Sequence, residues 1–92
     1  MASLSSKEVD ERLKALTGWK RHGDEIEKKF QFADFVQSMD FVNKVAAEAN
    51  AADHHPDIKI EYNKVKMTLS THSEGGITEK DFALAQQIDA AV

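Results

Sequence analysis

His54, His55 and Pro56 stand in a row, followed downstream by His72 and then by Asp81, where a helical pattern begins. Three of the four histidines of the chain fall in a segment short enough to fold as one hairpin. Imidazole is the side chain whose unperturbed pKa lets it give or take a proton near neutral pH. Several imidazoles converging on one place could run acid–base chemistry without a metal. The plainer alternative is a set of surface histidines in a loop ahead of a proline.

Other chemistries have less support. Neighbouring histidines on an extended segment point apart, so His54 and His55 do not readily share an ion. There is no HExxH or comparable spacing, and no metal or organic cofactor is expected. The chain has no cysteine. It therefore has no thiolate nucleophile, no disulfide framework and no Cys-based zinc site. A GxSxG elbow, a Walker loop and a GxGxxG turn are all absent. Asp81 also reads as an acid at the third position of a helix, where it favours the N-terminus. Asp53 reads as a cap for the preceding helix or as a partner for an imidazole. Trp19 reads as core, or as the floor of a pocket. His22, alone beside a turn, reads as surface.

The elements that must position these residues are legible from periodicity. Ninety-two residues predict a single domain, 1–92, with a modest core that oligomerisation would supplement. The net charge of −4 is spread without a basic cluster, which argues against nucleic acid as a direct partner. No apolar run approaches a membrane span, and the N-terminal residues lack the apolar stretch of a secretory signal. The expectation is a soluble cytoplasmic protein, with the nucleus open to a eukaryotic one.

Ser5 and Glu8 fit a capping box ahead of Val9, Leu13 and Leu16, predicting a helix over 6–16. Residues 19–22 and 26–32 predict two strands around Gly23-Asp24. Phe35, Met39, Val42, Val45, Ala46 and Ala49 form a stripe of period 3.6, predicting a helix over 34–51 opened by Asp34. Phe30, Phe32 and Phe35 are expected in the core. Ile58, Ile60 and Tyr62 alternate with charged residues, as do Val65, Met67 and Leu69. With Asn63-Lys64 as a two-residue loop, Tyr62 would face Val65, Ile60 would face Met67, and Glu61 would face Lys66. Carried further, that register sets His55 opposite His72. Thr78 as N-cap and the pattern Phe82, Ala85, Ile88 predict a helix over 79–90. The order α-β-β-α-β-β-α implies an α+β fold: a four-stranded antiparallel sheet with three helices on one face.

The runs Asp53-His54-His55-Pro56, Tyr62-Asn63-Lys64-Val65, Leu69-Ser70-Thr71-His72 and Thr78-Glu79-Lys80-Asp81 closely resemble the pterin-4a-carbinolamine dehydratases. Gly18-Trp19 and the run from Phe30 to Phe35 extend the resemblance over nearly the whole chain. It implies the same α-β-β-α-β-β-α fold and a homodimer or homotetramer. The implied reaction is dehydration of 4a-hydroxytetrahydropterin to quinonoid dihydropterin without a metal or cofactor, recycling the pterin of aromatic amino acid hydroxylases. It also implies acid–base roles for His54 and His72, and pterin binding mainly by His55. Asp81 and Asp53 would orient the histidines or touch the pterin, Pro56 would fix the loop, and Pro56 and Trp19, the latter as the floor of the pocket, are further candidate pterin contacts. Vertebrate members also bind a transcription factor, so a protein partner, or a purely non-catalytic binding module of this fold, is the alternative. One departure stands out. The family usually has an acid where this chain has Asn50, and Glu48 lies two residues earlier, about 200° away around a helix.

Overall fold

The computed structural model describes residues 3–92. Ser5 caps α1 (Ser6–Leu13) through the expected reciprocal bonds with Glu8, and Val9 is the buried residue of this helix. The helix ends at Leu13, and Ala15 and Leu16 continue as turns. Strands β1 (Lys20–His22) and β2 (Glu25–Gln31) follow, then α2 (Phe35–Ala52) with Asp34 as its N-cap. Strands β3 (Asp57–Glu61) and β4 (Lys64–Leu69) lead through a short 3-10 turn, His72–Glu74, to α3 (Glu79–Ala90). The sheet is antiparallel with order β1-β2-β4-β3, which leaves β1 and β3 as its edges.

One face of the sheet is apolar and carries the helices. Ile26 and Phe30 of β2 and Val65, Met67 and Leu69 of β4 are buried there against Phe41, Val45, Phe82 and Ile88. Removing such side chains from water is the main stabilising term of a domain this small. Among the described residues, no helix is long and apolar enough to cross a membrane.

The register of the β3–β4 hairpin differs from the sequence expectation by two residues. Ile60 pairs with Val65, Ile58 with Met67, and Glu61 with Lys64. The loop is Tyr62-Asn63, with Tyr62 at a positive φ of 53°. The cause is tertiary. Asn63 is bonded to the end of β2: its carbonyl accepts from the Phe32 N–H at 2.8 Å, and its Nδ2 donates to the Phe32 carbonyl at 3.1 Å. The β2–β4 pairing runs up to that clamp. A slip of two preserves which face each strand side chain takes, so the alternation of faces along β3 and β4 is the same in either register. Tyr62 nevertheless leaves the core face and stands 65% exposed in the loop. The expected opposition of His55 and His72 falls with the register. Strand β4 ends at Leu69, and His72 lies beyond it in the 3-10 turn.

The buried face of α2 is also rotated from the predicted stripe. Ser38, Phe41, Val45 and Ala49 are its buried residues, while Phe35 is 48% exposed and Ala46 faces out. Phe41 takes the position because it packs between Phe30 and Phe32, at centroid distances of 4.8 and 5.0 Å. Ser38 can be buried because its hydroxyl donates to the Asp34 carbonyl one turn back, at 3.1 Å.

Candidate active site

The site is assembled at the junction between the end of α2 and the start of α3. Asp53 ends α2 in the left-handed conformation, with φ 50° and ψ 41°. The His54 N–H then turns back to the Ala49 carbonyl at 3.1 Å, the closing bond of a Schellman end. That reversal, with Pro56 forbidding more helix, aims His54 at α3.

His54 Nε2 lies 2.5 Å from Oδ1 of Asp81, and Asp81 is fully buried. Oδ2 of Asp81 accepts from the Thr78 N–H at 2.9 Å and from the Thr71 hydroxyl at 2.9 Å. Asp81 is thus the acid at N3 of α3 and, in the same geometry, the partner of an imidazole. One carboxylate makes both contacts, because it has several lone pairs to offer. The Thr71 hydroxyl spends its one proton on Asp81. The 2.8 Å bond between Thr71 and Thr78 is therefore donated by Thr78. A hydroxyl chain runs from Thr78 through Thr71 to Asp81, and every neighbour of the carboxylate is a donor. Facing an ionised Asp81, which only accepts, His54 Nε2 is the donating nitrogen of that ring.

The other nitrogen of His54 is the chemically free one. Among the described residues it makes no hydrogen bond, and every fully buried side-chain nitrogen or oxygen has a partner. Nδ1 of His54 is therefore within reach of solvent. The ring borders an open cavity of about 350 Å³ between α2 and α3.

His55 is held differently. Its Nε2 is 2.9 Å from Oδ1 of Asn50, a carbonyl oxygen that only accepts. His55 therefore donates from Nε2 to the amide of Asn50, the position at which the sequence departs from the family pattern. His72 is exposed at the start of the 3-10 turn. Thr71 and Gly76 exchange backbone bonds of 2.9 and 3.3 Å and pinch this loop, and Gly75 supplies its positive φ of 72°. Through Thr71, the residue before His72 shares Asp81 with His54. Among the described residues, no three His, Cys, Asp or Glu side chains meet closely enough to hold a metal ion.

Two further candidates lie apart from this junction in different ways. The Asp53 carboxylate is exposed and makes no hydrogen bond among the described residues. Trp19 is buried, edge-on to Phe30, and its Nε1 donates to the Asp89 carboxylate at 3.1 Å. Lys28 binds the same carboxylate at 2.8 Å. Asp89 is about two turns of α3 beyond Asp81, on the order of 12 Å along the helix. The Trp19 indole nitrogen therefore bonds well away from the histidines.

Sequence reasoning missed Thr71 and Thr78 as parts of the site. The available signal was that each hydroxyl adjoins a residue already singled out: Thr71 next to His72, and Thr78 as the cap of the helix bearing Asp81.

Comparison with known proteins bears on the whole chain. The family model described as pterin 4 alpha carbinolamine dehydratase matches residues 2–91. A relative from Acidobacterium capsulatum, provisionally named a pterin-4-alpha-carbinolamine dehydratase, is 53% identical over 90 residues, 98% of each chain. A relative from a Roseiflexus species, under the same provisional name, is 55% identical over 86 residues, covering 94% of this chain and 92% of its own. The crystal structure of a transcriptional coactivator/pterin dehydratase from Brucella melitensis superposes with a TM-score of 0.93 at 38% identity, covering 97% of both chains. A pterin dehydratase-like protein described as a RuBisCO assembly factor in the alpha-carboxysome superposes with a TM-score of 0.70 at 26% identity, covering 83% of this chain and 90% of its own. A match of this extent, over a chain in which His54, Asp81, Thr71 and Thr78 form one connected junction, assigns the protein to the pterin 4 alpha carbinolamine dehydratase family.

Proposed function

We propose that the protein dehydrates 4a-hydroxytetrahydropterin to quinonoid dihydropterin by histidine acid–base catalysis, returning the pterin cofactor of an aromatic hydroxylase to use. The observation that carries the reading is the 2.5 Å bond from His54 to the buried Asp81, in a chain of this family. In the reaction the C4a–O bond breaks and its electron pair leaves with the oxygen, which takes up a proton. A ring N–H gives up its proton as the new C=N bond forms, so water is the one by-product. His54, its Nε2 proton committed to Asp81, presents the Nδ1 lone pair as the base. Asp81 fixes that tautomer and orientation, as a carboxylate does for an imidazole in other acid–base sites. His72, on the neighbouring loop, serves as the acid at the hydroxyl. His55, positioned by Asn50, binds the pterin, with Asp53 and Pro56 beside it. Each factor of ten in rate requires about 1.4 kcal/mol of barrier reduction.

The enzyme would work in the cytoplasm as a homodimer or homotetramer. Exposed apolar side chains at Phe35 and Val36 on α2, and the outer edge of β3 at the end of the sheet, support self-association. The same exposed groups favour a second reading, a protein-binding module, for which the RuBisCO assembly factor of similar fold is the precedent.

One assay separates the two. Water loss from freshly generated 4a-hydroxytetrahydropterin, followed by stopped-flow absorbance, should accelerate with added protein and lose that acceleration in His54→Ala. A parent protein that leaves the uncatalysed rate unchanged would remove the enzymatic reading and leave the module.

A further inference from the structure

The cavity beside His54 has a composition that the acid–base roles leave unused. Its walls are facing stripes of two helices. Glu48, Ala51 and Ala52 come from α2, and Lys80, Ala83, Leu84 and Gln87 come from α3, with His54 closing one end. These are i, i+3, i+4 and i+7 positions, so each set shares one helix face. The cavity exists because three of the facing residues are alanines.

Glu48 and Lys80 carry opposite charges on the same cavity, yet they make no ion pair with each other. Among the described residues neither side chain has a hydrogen bond or salt bridge. Each also sits at the wrong helix end for its charge. Glu48 is near the C-terminus of α2, and Lys80 is in the first turn of α3, where the dipoles favour the opposite signs. Neither charge is therefore used by a side-chain contact among the described residues, and both stay available to a ligand in the cavity.

We infer that Glu48 and Lys80 bind the pyrimidine edge of the pterin in this cavity. This rests on the dehydratase reading above and names the groups that would recognise its substrate. A 2-amino-4-oxopyrimidine presents two adjacent donors, the ring N–H and the exocyclic amine, beside a carbonyl acceptor. A carboxylate meets the two donors with two parallel bonds, and an ammonium meets the carbonyl. The volume of about 350 Å³ lies within the range of small-molecule sites. Glu48 thus supplies a carboxylate to the substrate from a different face of α2 than Asn50, which serves His55.

The test uses the full chain and two probes. Binding of 7,8-dihydropterin and of its 2,4-dioxo counterpart, which lacks the amine, is measured by calorimetry for the parent, Glu48→Gln and Lys80→Met. The parent should prefer the 2-amino compound by about tenfold or more, the scale of one good hydrogen-bonded recognition. Glu48→Gln should lose that preference, and Lys80→Met should weaken both compounds alike. In the dehydration assay both variants should raise KM more than they lower kcat. Both residues are exposed, so thermal unfolding should stay unchanged and certify the fold. Unchanged preference in Glu48→Gln overturns the inference, as does a shift in sedimentation showing that the variants break a contact between copies. A parent that binds the 2-amino compound selectively but fails to dehydrate the substrate would refute the reaction and leave this site standing.

Discussion

His54 Nε2 and Asp81 Oδ1 stand 2.5 Å apart, joining the residue just past the end of α2 to the third residue of α3. One aspartate thereby caps a helix and orients an imidazole. Asp81→Asn can keep its carbonyl oxygen on the Thr71 and Thr78 donors only by turning its N–H₂ toward His54 Nε2. His54 then accepts at Nε2 and carries its proton on Nδ1, the nitrogen assigned as the base. The expected outcome is a stability change below about 1 kcal/mol, since no buried donor need be left unsatisfied. Turnover should fall about 10²-fold, comparable with His54→Ala and His72→Ala. Urea unfolding and steady-state kinetics on the three variants check this; wild-type turnover in all of them would rule out the proton-transfer assignment.

His55 is assigned to binding, so His55→Ala should raise KM about tenfold with little change in kcat. Asn50→Ala, which removes the 2.9 Å bond holding that ring, should move KM in the same direction and by less. A drop in kcat without a change in KM for either variant would contradict the division of labour between His55 and His54.

Asp53 offers a clean separation of backbone from side chain. Its φ of 50° is one that glycine adopts without cost. Asp53→Gly should therefore keep or raise stability, by about 0.5 kcal/mol. If the exposed carboxylate meets the pterin, KM should still rise. A stable variant with unchanged KM would confine Asp53 to ending the helix.

The hairpin loop carries similar strain at Tyr62, which holds φ at 53° while 65% exposed. Tyr62→Gly should raise stability by about 0.5 kcal/mol, the αL penalty less the greater unfolded-state entropy of glycine. Asn63→Ala should lower it by about 1 kcal/mol through the lost bond to Phe32. Paired melting curves read both signs; a destabilised Tyr62→Gly would show that Tyr62 contributes through contacts instead.

Glu8 gives a pH signature at the other end of the molecule. Its carboxyl is held below the ordinary value of 4.5, chiefly because it accepts from the Ser5 backbone N–H, and secondarily from the Ser5 side chain. A carboxyl depressed in the folded state contributes stability that is fully present above its unfolded pKa. That contribution is lost as pH falls through the lower, folded value. The stability difference between the parent and Glu8→Gln should be constant near neutral pH and shrink in acid below about pH 4.5. A gap that persists undiminished at the lowest pH where both proteins fold would argue against the capping bond as its source.

The sequence alone determined the element order and the four-stranded antiparallel sheet, because periods of 3.6 and 2 are properties of local chain geometry. It placed Thr78 and Asp81 at the start of α3 and Ser5 with Glu8 at the start of α1, because caps are satisfied within one turn. It singled out His54 and His72 by type and spacing. Tertiary structure decided what local rules leave open. Asn63 binding Phe32 set the hairpin register, since period-2 alternation is blind to a slip of two. Phe41 replaced Phe35 in the core because the aromatic faces of Phe30 and Phe32 await it there. Asp81 met His54 rather than solvent, and Trp19 met Asp89 rather than the histidines, because packing α2 and α3 over the sheet fixes which buried donors face which acceptors.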